Sequence, residues 1–287
     1  MIQSLQQIKR RIRSIENTEK LTHAMEVISI SKLRAAEERL LRAREYFSRL
    51  DKTLNNVLES FGASGHPLLE AREAKGKTTL CLITSDTGLC GSYNHNILRE
   101  AQDFISGHAA GGIDLVAVGK RAVGYCKRRG IPVSGSYTEL NGRYSREVSD
   151  KIAADLMDRF SSGKAAEVYV AYTRFESASR LKPVVEKFLN IAPKEPAKGK
   201  EMPCLVEPDI KSVLEYLLPA YLLNKMRFMI LNSFASEHAA RSMAMGEATN
   251  NADEMLETLT LLRNKVRQAN ITREIIEVIS AADALKG

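Results

Sequence analysis

The residues with chemistry to offer gather in "ITSDTGLCGSYN", Ile83–Asn94. A strand-like run precedes this stretch and a helical pattern follows it. Gly88 and Gly91 could therefore free backbone N–H groups to hold an anion at a helix start. The GxxG spacing lacks the full GxGxxG, and no acidic residue closes the next strand, so it is a poor dinucleotide fingerprint. Asp86, Ser85 and Ser92 are equally turn and cap residues. The favoured reading is a structural tight turn. The "GKT" at Gly76–Thr78 has the ending of a phosphate-binding loop, but Ala71 stands where that motif needs glycine. The tripeptide also precedes a strand instead of opening a helix.

No other constellation is assembled by spacing. His23, His66, His95, His108 and His238 form neither an HxxxH nor an HExxH pair, the spacing that sets two imidazoles on one helix face for a metal. His23 and His238 fall in long helical patterns, where a polar contact between helices accounts for each. Asp114 and Glu176 have no paired carboxylate for acid–base work, and Cys90 has no neighbouring base to make it a nucleophile. Cys81, Cys90, Cys126 and Cys204 show no CxxC and read as buried small hydrophobes in a reducing compartment. The expectation is a chain with no catalytic residue, no metal and no cofactor.

The elements that must carry these residues follow from the breakers. All eight prolines lie between Pro67 and Pro219, residues 1–61 hold neither glycine nor proline, and 220–286 hold only Gly246. This predicts two long helices, over 1–61 and 208–287, bracketing a central domain at 75–195. The second helix begins near Pro208 or Pro219. Leu33, Ala36, Leu40, Ala43, Phe47, Leu50, Leu54, Val57 and Phe61 step by three and four, a sustained heptad. Leu5, Ile8, Ile12 and Ile15 repeat the spacing upstream, and Met25 and Ile28 resume it. At 1.5 Å per residue this helix would reach roughly 90 Å.

In the last helix Leu217, Tyr221, Phe228, Leu231, Ala235, Met245, Ala252, Leu256, Leu259 and Val266 share one heptad frame. Asn224, His238, Ser242, Thr249 and Arg263 fill its other slots. Two such helices are most simply an antiparallel coiled-coil pair, and the longer one must outrun its partner. Its end, Asn264–Leu285, sets Ile271, Ile275, Val278, Ala282 and Leu285 in one stripe, widened by Ile276 and Ile279. That is too apolar for a solvent-facing helix, so a different partner has to cover it.

Between the helices, Thr78–Thr84, Ile113–Gly119 and Ala166–Phe175 are β-rich runs, separated by helical patterns near Tyr93–Ile105, Lys120–Arg129 and Ser145–Phe160. This alternation predicts a small, Rossmann-like, mostly parallel α/β domain. Leu181–Leu189 is ambiguous, an edge strand at most given Pro183. Asn190–Pro203 reads as a loop.

Composition narrows the function classes. The net charge of +7 favours an acidic partner or anionic surface. It is spread out, however, with 12 basic against 8 acidic residues in 1–61 and 9 against 10 in 209–287, which disfavours a nucleic-acid binder. Aromatic residues make up 6%, with no Trp, so packing through Leu, Ile, Ala and Met is expected. No run of 18 apolar residues occurs, and the expectation is a chain that neither spans a membrane nor is exported.

Three blocks in order resemble the gamma subunit, the central stalk, of the rotary F-type ATP synthase of bacterial type. They are "IKRRIRSIENTEKLTHAMEVISISKLRAAEE" (Ile8–Glu38), "SDTGLCGSYN" (Ser85–Asn94) and "SEHAARSMAMGEATNNADEMLETLTLLRNKVRQANITREIIEVISAADAL" (Ser236–Leu285). Ser280–Ala282 departs from a glycine common in the family, and the cysteine-pair insertion of chloroplast relatives is missing, so thiol regulation is not expected.

The resemblance implies a non-catalytic rotor, present once per complex. Its helices would stand inside a hexameric ring of alpha and beta subunits. Its α/β domain would sit against the epsilon subunit and the membrane c-ring, peripheral to the cytoplasmic face of the membrane. It further implies that Arg267, Gln268, Thr272, Glu277, Met25 and Arg241 transmit torque to the ring, while Ile271, Ile275, Ile276, Val278, Ile279 and Leu285 form an apolar bearing. Two alternatives remain: a nucleotide-binding enzyme using the Gly88–Gly91 turn, which predicts nucleotide binding by the lone chain, and a coiled-coil nucleic-acid binder, which predicts salt-dependent binding to DNA.

Overall fold

With no glycine or proline to interrupt it, the first helix runs for 57 residues. The computed structural model describes residues 5–61, 66–69, 77–108, 112–191, 206–207 and 209–284. Gly76, Cys204, Pro208, Leu285, most of the expected loop Asn190–Pro203 and the side chain of Phe61 lie outside the described residues. In chain order the elements are α1 (Leu5–Phe61), β1 (Lys77–Ile83), α2 (Tyr93–Gly107), β2 (Ile113–Val118) and α3 (Lys120–Arg129). There follow β3 (Val133–Tyr137), α4 (Arg146–Ser161), β4 (Ala165–Ser177), β5 (Arg180–Leu189) and α5 (Ile210–Ala284). The contacts divide the chain into two compact units, residues 29–241 and residues 1–28 with 242–287.

In the larger unit the strands form one sheet in the order β3-β2-β1-β4-β5. The first three neighbouring pairs are parallel and β4–β5 is antiparallel. Central strands buried on both faces alternate between two cores. Leu80, Leu82, Leu115, Ala117 and Ala171 pack with Ile97 and Ala101 of α2 and Ala122 and Cys126 of α3. Cys81, Ile83, Val116, Val118, Val170 and Tyr172 face the other way, toward α4, α1 and the first turns of α5. The strand β3 was not foreseen: "VSGSY" carries a glycine and two serines, and its place comes from pairing with β2. The ambiguous Leu181–Leu189 run is the edge strand β5.

Two helix starts are held by a side chain just before them, which answers some of the four orphan N–H groups. Ser145 accepts from Val148 N at 3.4 Å to open α4. Asp209 accepts from Ser212 N at 2.9 Å and opens α5. Helix α5 therefore starts at Ile210, with Pro219 inside it rather than at its head.

Within this unit α1 and α5 run antiparallel. Leu33 and Leu40 pack on Leu231, Ala235 and Ala239, and Phe47 stacks between Phe228 at 5.2 Å and Tyr221 at 5.4 Å. The Tyr221 hydroxyl donates to Asp51 at 3.0 Å. The polar slots of α5 have a tertiary purpose. Strand β4 outruns β1, whose pairing ends at Ala171, and its free edge is met by α5 side chains. Ser236 Oγ donates to Thr173 O at 3.2 Å, and Phe175 N donates to Asn232 Oδ1 at 3.1 Å.

In the smaller unit Ile8, Ile12, Met245 and Ala252 are buried. The hydroxyls of Thr22 and Thr249 meet at 2.9 Å, and Gly246 lets Glu26 approach so closely that a Cβ there would lie 2.9 Å from Glu26 Oε1. The pairing is again antiparallel. One expected seam residue fails: Ile28 is 54% exposed, while Thr22 is buried. A polar pair, not an apolar one, occupies the seam there.

Candidate partner interface

The antiparallel register set by Thr22 and Thr249 brings Leu5, the first described residue of α1, level with Val266. Both are half-buried, and from Arg267 to Ala282 every residue of α5 is exposed. Those 16 residues span about 24 Å of helix. Ile271, Ile275, Ile276, Val278 and Ile279 are between 44 and 69% exposed, whereas soluble surfaces seldom expose large contiguous apolar patches. Leu285 lies outside the described residues. Leu261 and Leu262 are exposed too. They fall off the heptad frame, so the spacing that found Leu259 passed over them.

Helical geometry puts Arg267 at the head of the apolar stripe, four residues before Ile271, with Ile275 and Val278 following. Gln268 leads the neighbouring row through Thr272 and Ile276. The Thr272 hydroxyl donates back to Gln268 O at 3.0 Å, and Gln268 is itself exposed. Glu277 is exposed on the same stretch, and Met25, in the smaller unit, is half-buried on α1.

Arg241 is placed differently. It is 7% exposed and turned inward, toward the Ser85–Asn94 segment. Its guanidinium donates to Glu237 Oε1 at 2.8 Å, to Thr87 Oγ1 at 3.0 Å and to Gly88 O at 3.3 Å. Among the described contacts its direct work is to brace that loop. Burial raises the Glu237 carboxyl above its usual range, and the Arg241 charge opposes this.

Next to this pair, His238 Nε2 donates to Gly142 O at 2.9 Å, and Arg241 donates to His238 Nδ1 at 3.5 Å. The imidazole is thus neutral, and burial holds it down to about 4. A side chain at Gly142, whose φ is +64°, would meet His238 Cε1 at 2.7 Å. The expected helix–helix contact of His238 is therefore a helix–loop contact. That of His23 is internal to α1, 3.7 Å from Glu26.

The tight turn has a clear structural task. Asp86 accepts from Lys120 N at 2.9 Å, Glu139 N at 3.2 Å and Asn141 N at 2.7 Å, while Thr84 Oγ1 accepts from Ala122 N at 2.8 Å. Protein groups thus cap the N-terminus of α3 and tie the turn to it. Gly119 lets the chain close here, since a Cβ would lie 2.3 Å from Thr84 O. Left-handed backbone occurs at Leu89 and Gly91, not at Gly88. Cys81, Cys90 and Cys126 are free and buried. Among the described residues no cluster could hold a metal, and no helix is long and apolar enough to cross a membrane.

The family model described as ATP synthase matches residues 4–285. The chain is 38% identical over 284 residues to the ATP synthase gamma chain of Pelotomaculum thermopropionicum, covering 99% of each. It is 38% identical over 289 residues to that of Heliobacterium modesticaldum, covering 98% of this chain and 99% of the other. Its fold is similar to a chain of the Tetrahymena thermophila mitochondrial ATP synthase central stalk and c-ring structure. That match has a TM-score of 0.59 at 23% identity, over 79% of this chain and 99% of the other. It is also similar to a chain of the Euglena gracilis mitochondrial ATP synthase, with a TM-score of 0.67 at 15% identity, over 98% and 94%.

Proposed function

The chain belongs to the ATP synthase gamma chain family, and we propose that it is the non-catalytic central-stalk rotor of a proton-translocating synthase. One copy turns within a ring of alpha and beta subunits, joined to an epsilon subunit and a membrane c-ring, so that the complex holds it at the membrane. The observation that carries this reading is the end of α5, where Arg267–Ala282 are exposed and the large apolar side chains among them stand uncovered.

That end divides into two kinds of contact. Ile271, Ile275, Ile276, Val278, Ile279 and Leu285 form the bearing. Covering a side chain of this size is worth roughly 1.5–3 kcal/mol when burial is complete, and the attraction is nearly indifferent to angle because it is non-directional. Arg267 and Gln268 supply the angular term. A guanidinium presents several donors to a carboxylate, and a charge-assisted hydrogen bond depends on geometry. Thr272 and Glu277 extend the polar contact. Met25 acts from α1, and Arg241 acts through the loop it braces. A shaft that contacts each beta conformer differently biases their equilibrium, which is how rotation becomes changing nucleotide affinity.

The test combines Arg267→Ala with Gln268→Leu in a ring assembled from alpha and beta subunits. The expected result is normal stoichiometry, several-fold lower ATPase turnover and weaker proton pumping in vesicles. Each lost charge-assisted bond is worth about 1.5–3 kcal/mol where it forms. Truncation after Asn270 should instead reduce assembly and leave partial rotation. Wild-type turnover and coupling in the double variant would remove these two residues from torque transmission.

A further inference from the structure

Between α1 and the start of α4 the surface folds into a groove whose charged lining is all positive. One cleft of about 590 Å³ has Arg39, Arg42, Arg146 and Arg227 in its walls, with Tyr46 and Tyr144 beside them. A second, of about 300 Å³, adds Lys32 and Arg143 and shares Arg39, Tyr144 and Leu231 with the first. Those shared residues make the two clefts continuous. Neither has an Asp or Glu among its lining residues. The chain carries 42 basic and 35 acidic residues, so six cations without one carboxylate are a marked segregation. A neighbouring cleft at the end of β4 lacks it, since Arg44, Arg174 and Lys225 share its walls with Glu176 and Glu186.

Little within the protein answers this charge. Asp150 accepts from Arg227 twice at 2.6 Å and lies 3.7 Å from Arg146, so one carboxylate serves two guanidiniums. Arg42 pairs with Glu38 where both side chains are mostly exposed, a contact of little strength. Lys32, Arg39 and Arg143 have no ion pair among the described residues, and Lys32 feels Glu237 only at longer range. We propose that this groove binds an elongated polyphosphate anion. Guanidinium forks take phosphate oxygens two at a time, and Asp150 holds the Arg227 fork in place. From Lys32 to Arg42 the cations run along about 15 Å of α1, too far for a single phosphate to meet them all. Arg146 opens α4, so the positive end of that helix adds to the field. The volume is that of a small-molecule site. Tyr144 and Tyr46 both act on the Arg227 guanidinium, which sets two rings beside the charge for a nucleoside base to stack on. The polyphosphate is thus either free or carried by a nucleotide. The groove is separate from the Gly88–Gly91 turn, belongs wholly to the larger unit and does not depend on the rotor reading.

Calorimetry on the full-length chain tests it, with tripolyphosphate, ATP, inorganic phosphate and hexaglutamate as probes in magnesium-free buffer. Expected is saturable one-to-one binding of tripolyphosphate that weakens as salt is raised, with inorganic phosphate about tenfold weaker or more. Arg39→Gln combined with Arg143→Gln removes two exposed cations and should lower the affinity about tenfold. Circular dichroism checks the fold, and Arg42→Gln alone, at a solvent-facing position, repeats the test with a smaller loss. Lys127→Gln with Arg128→Gln takes the same charge from exposed residues of α3, on the other face of the sheet. That variant should keep its affinity within about twofold, because distant exposed charges are screened. Equal losses in the two double variants would make this a general charge effect and overturn the site. Absence of saturable binding, or hexaglutamate binding more tightly than tripolyphosphate, would overturn it too. ATP binding more tightly than tripolyphosphate, with the advantage lost in Tyr46→Ala, identifies a nucleotide, and equal affinities identify free polyphosphate.

Discussion

Removing the Arg241 guanidinium should damage the chain on its own, before any partner is present. Arg241→Met keeps the aliphatic stem and deletes the charge. The pair it breaks is among the most buried in the described structure, with side chains 8% and 1% exposed for Arg241 and Glu237 and a separation of 2.8 Å. Truncating one member of such a pair leaves an uncompensated buried charge and costs about 3–5 kcal/mol. That is a large share of the ~5–15 kcal/mol by which a typical domain is stable. The bonds to Thr87 and Gly88 are lost as well, so the Ser85–Asn94 loop should loosen along with α5. Glu237 can limit the loss by taking up a proton, since burial already raises its carboxyl. A raised carboxyl costs stability as pH climbs through its unfolded value toward its folded one. The penalty of Arg241→Met should therefore shrink toward pH 5, by about 1.4 kcal/mol for each pH unit of that window. Glu237→Gln combined with Arg241→Met should be milder than the single change. Urea unfolding of the full-length chain at pH 7.5 and pH 5, with near-ultraviolet dichroism of the tyrosines, measures all of this. A penalty below about 1 kcal/mol that ignores pH would refute the idea that this pair holds the loop.

His238 has the opposite sign to Glu237. Its neutral form is held down to about 4 against 6.5 in the unfolded chain, so its contribution is intact above pH 6.5 and lost as pH falls toward 4. The full window is worth about 3 kcal/mol. His238→Gln should flatten the wild-type fall in stability between pH 6.5 and 4, and an unchanged slope would refute a buried neutral imidazole. Leu40, 2% exposed and packed in the cluster of Leu231 and Ala235, should not tolerate aspartate. Leu40→Asp is expected to cost more than about 4 kcal/mol by lost packing and a buried charge. Leu41→Asp, on the exposed side, should cost little by urea midpoint and helicity, and equal effects would show that the seam is misplaced.

Much of this was written locally. The absence of breakers and the stepping of Leu33 through Val57 dictate a long helix with one buried face, because i+3 and i+4 neighbours are set by helix geometry alone. The β-rich runs and their spacing likewise announce the sheet. The excess of isoleucine in Ile271–Ile279 marks a surface that needs cover, and three motif blocks carry the family. What the local pattern could not supply is which groups meet across the chain. Strand β3 exists because β2 offers it an edge. Thr22 is buried, and Ile28 is not, because Thr249 stands opposite as a hydroxyl partner. Arg241 is singled out by the resemblance alone, and nothing in its spacing shows that it folds inward onto Glu237 and Gly88. Asp86 reads as a turn residue, yet its carboxylate gathers three backbone donors from segments more than thirty positions away. Hydrophobic periodicity is a property of a segment by itself, so sequence alone determines it. The satisfaction of a buried polar group depends on a partner distant in sequence, so only the tertiary structure decides it.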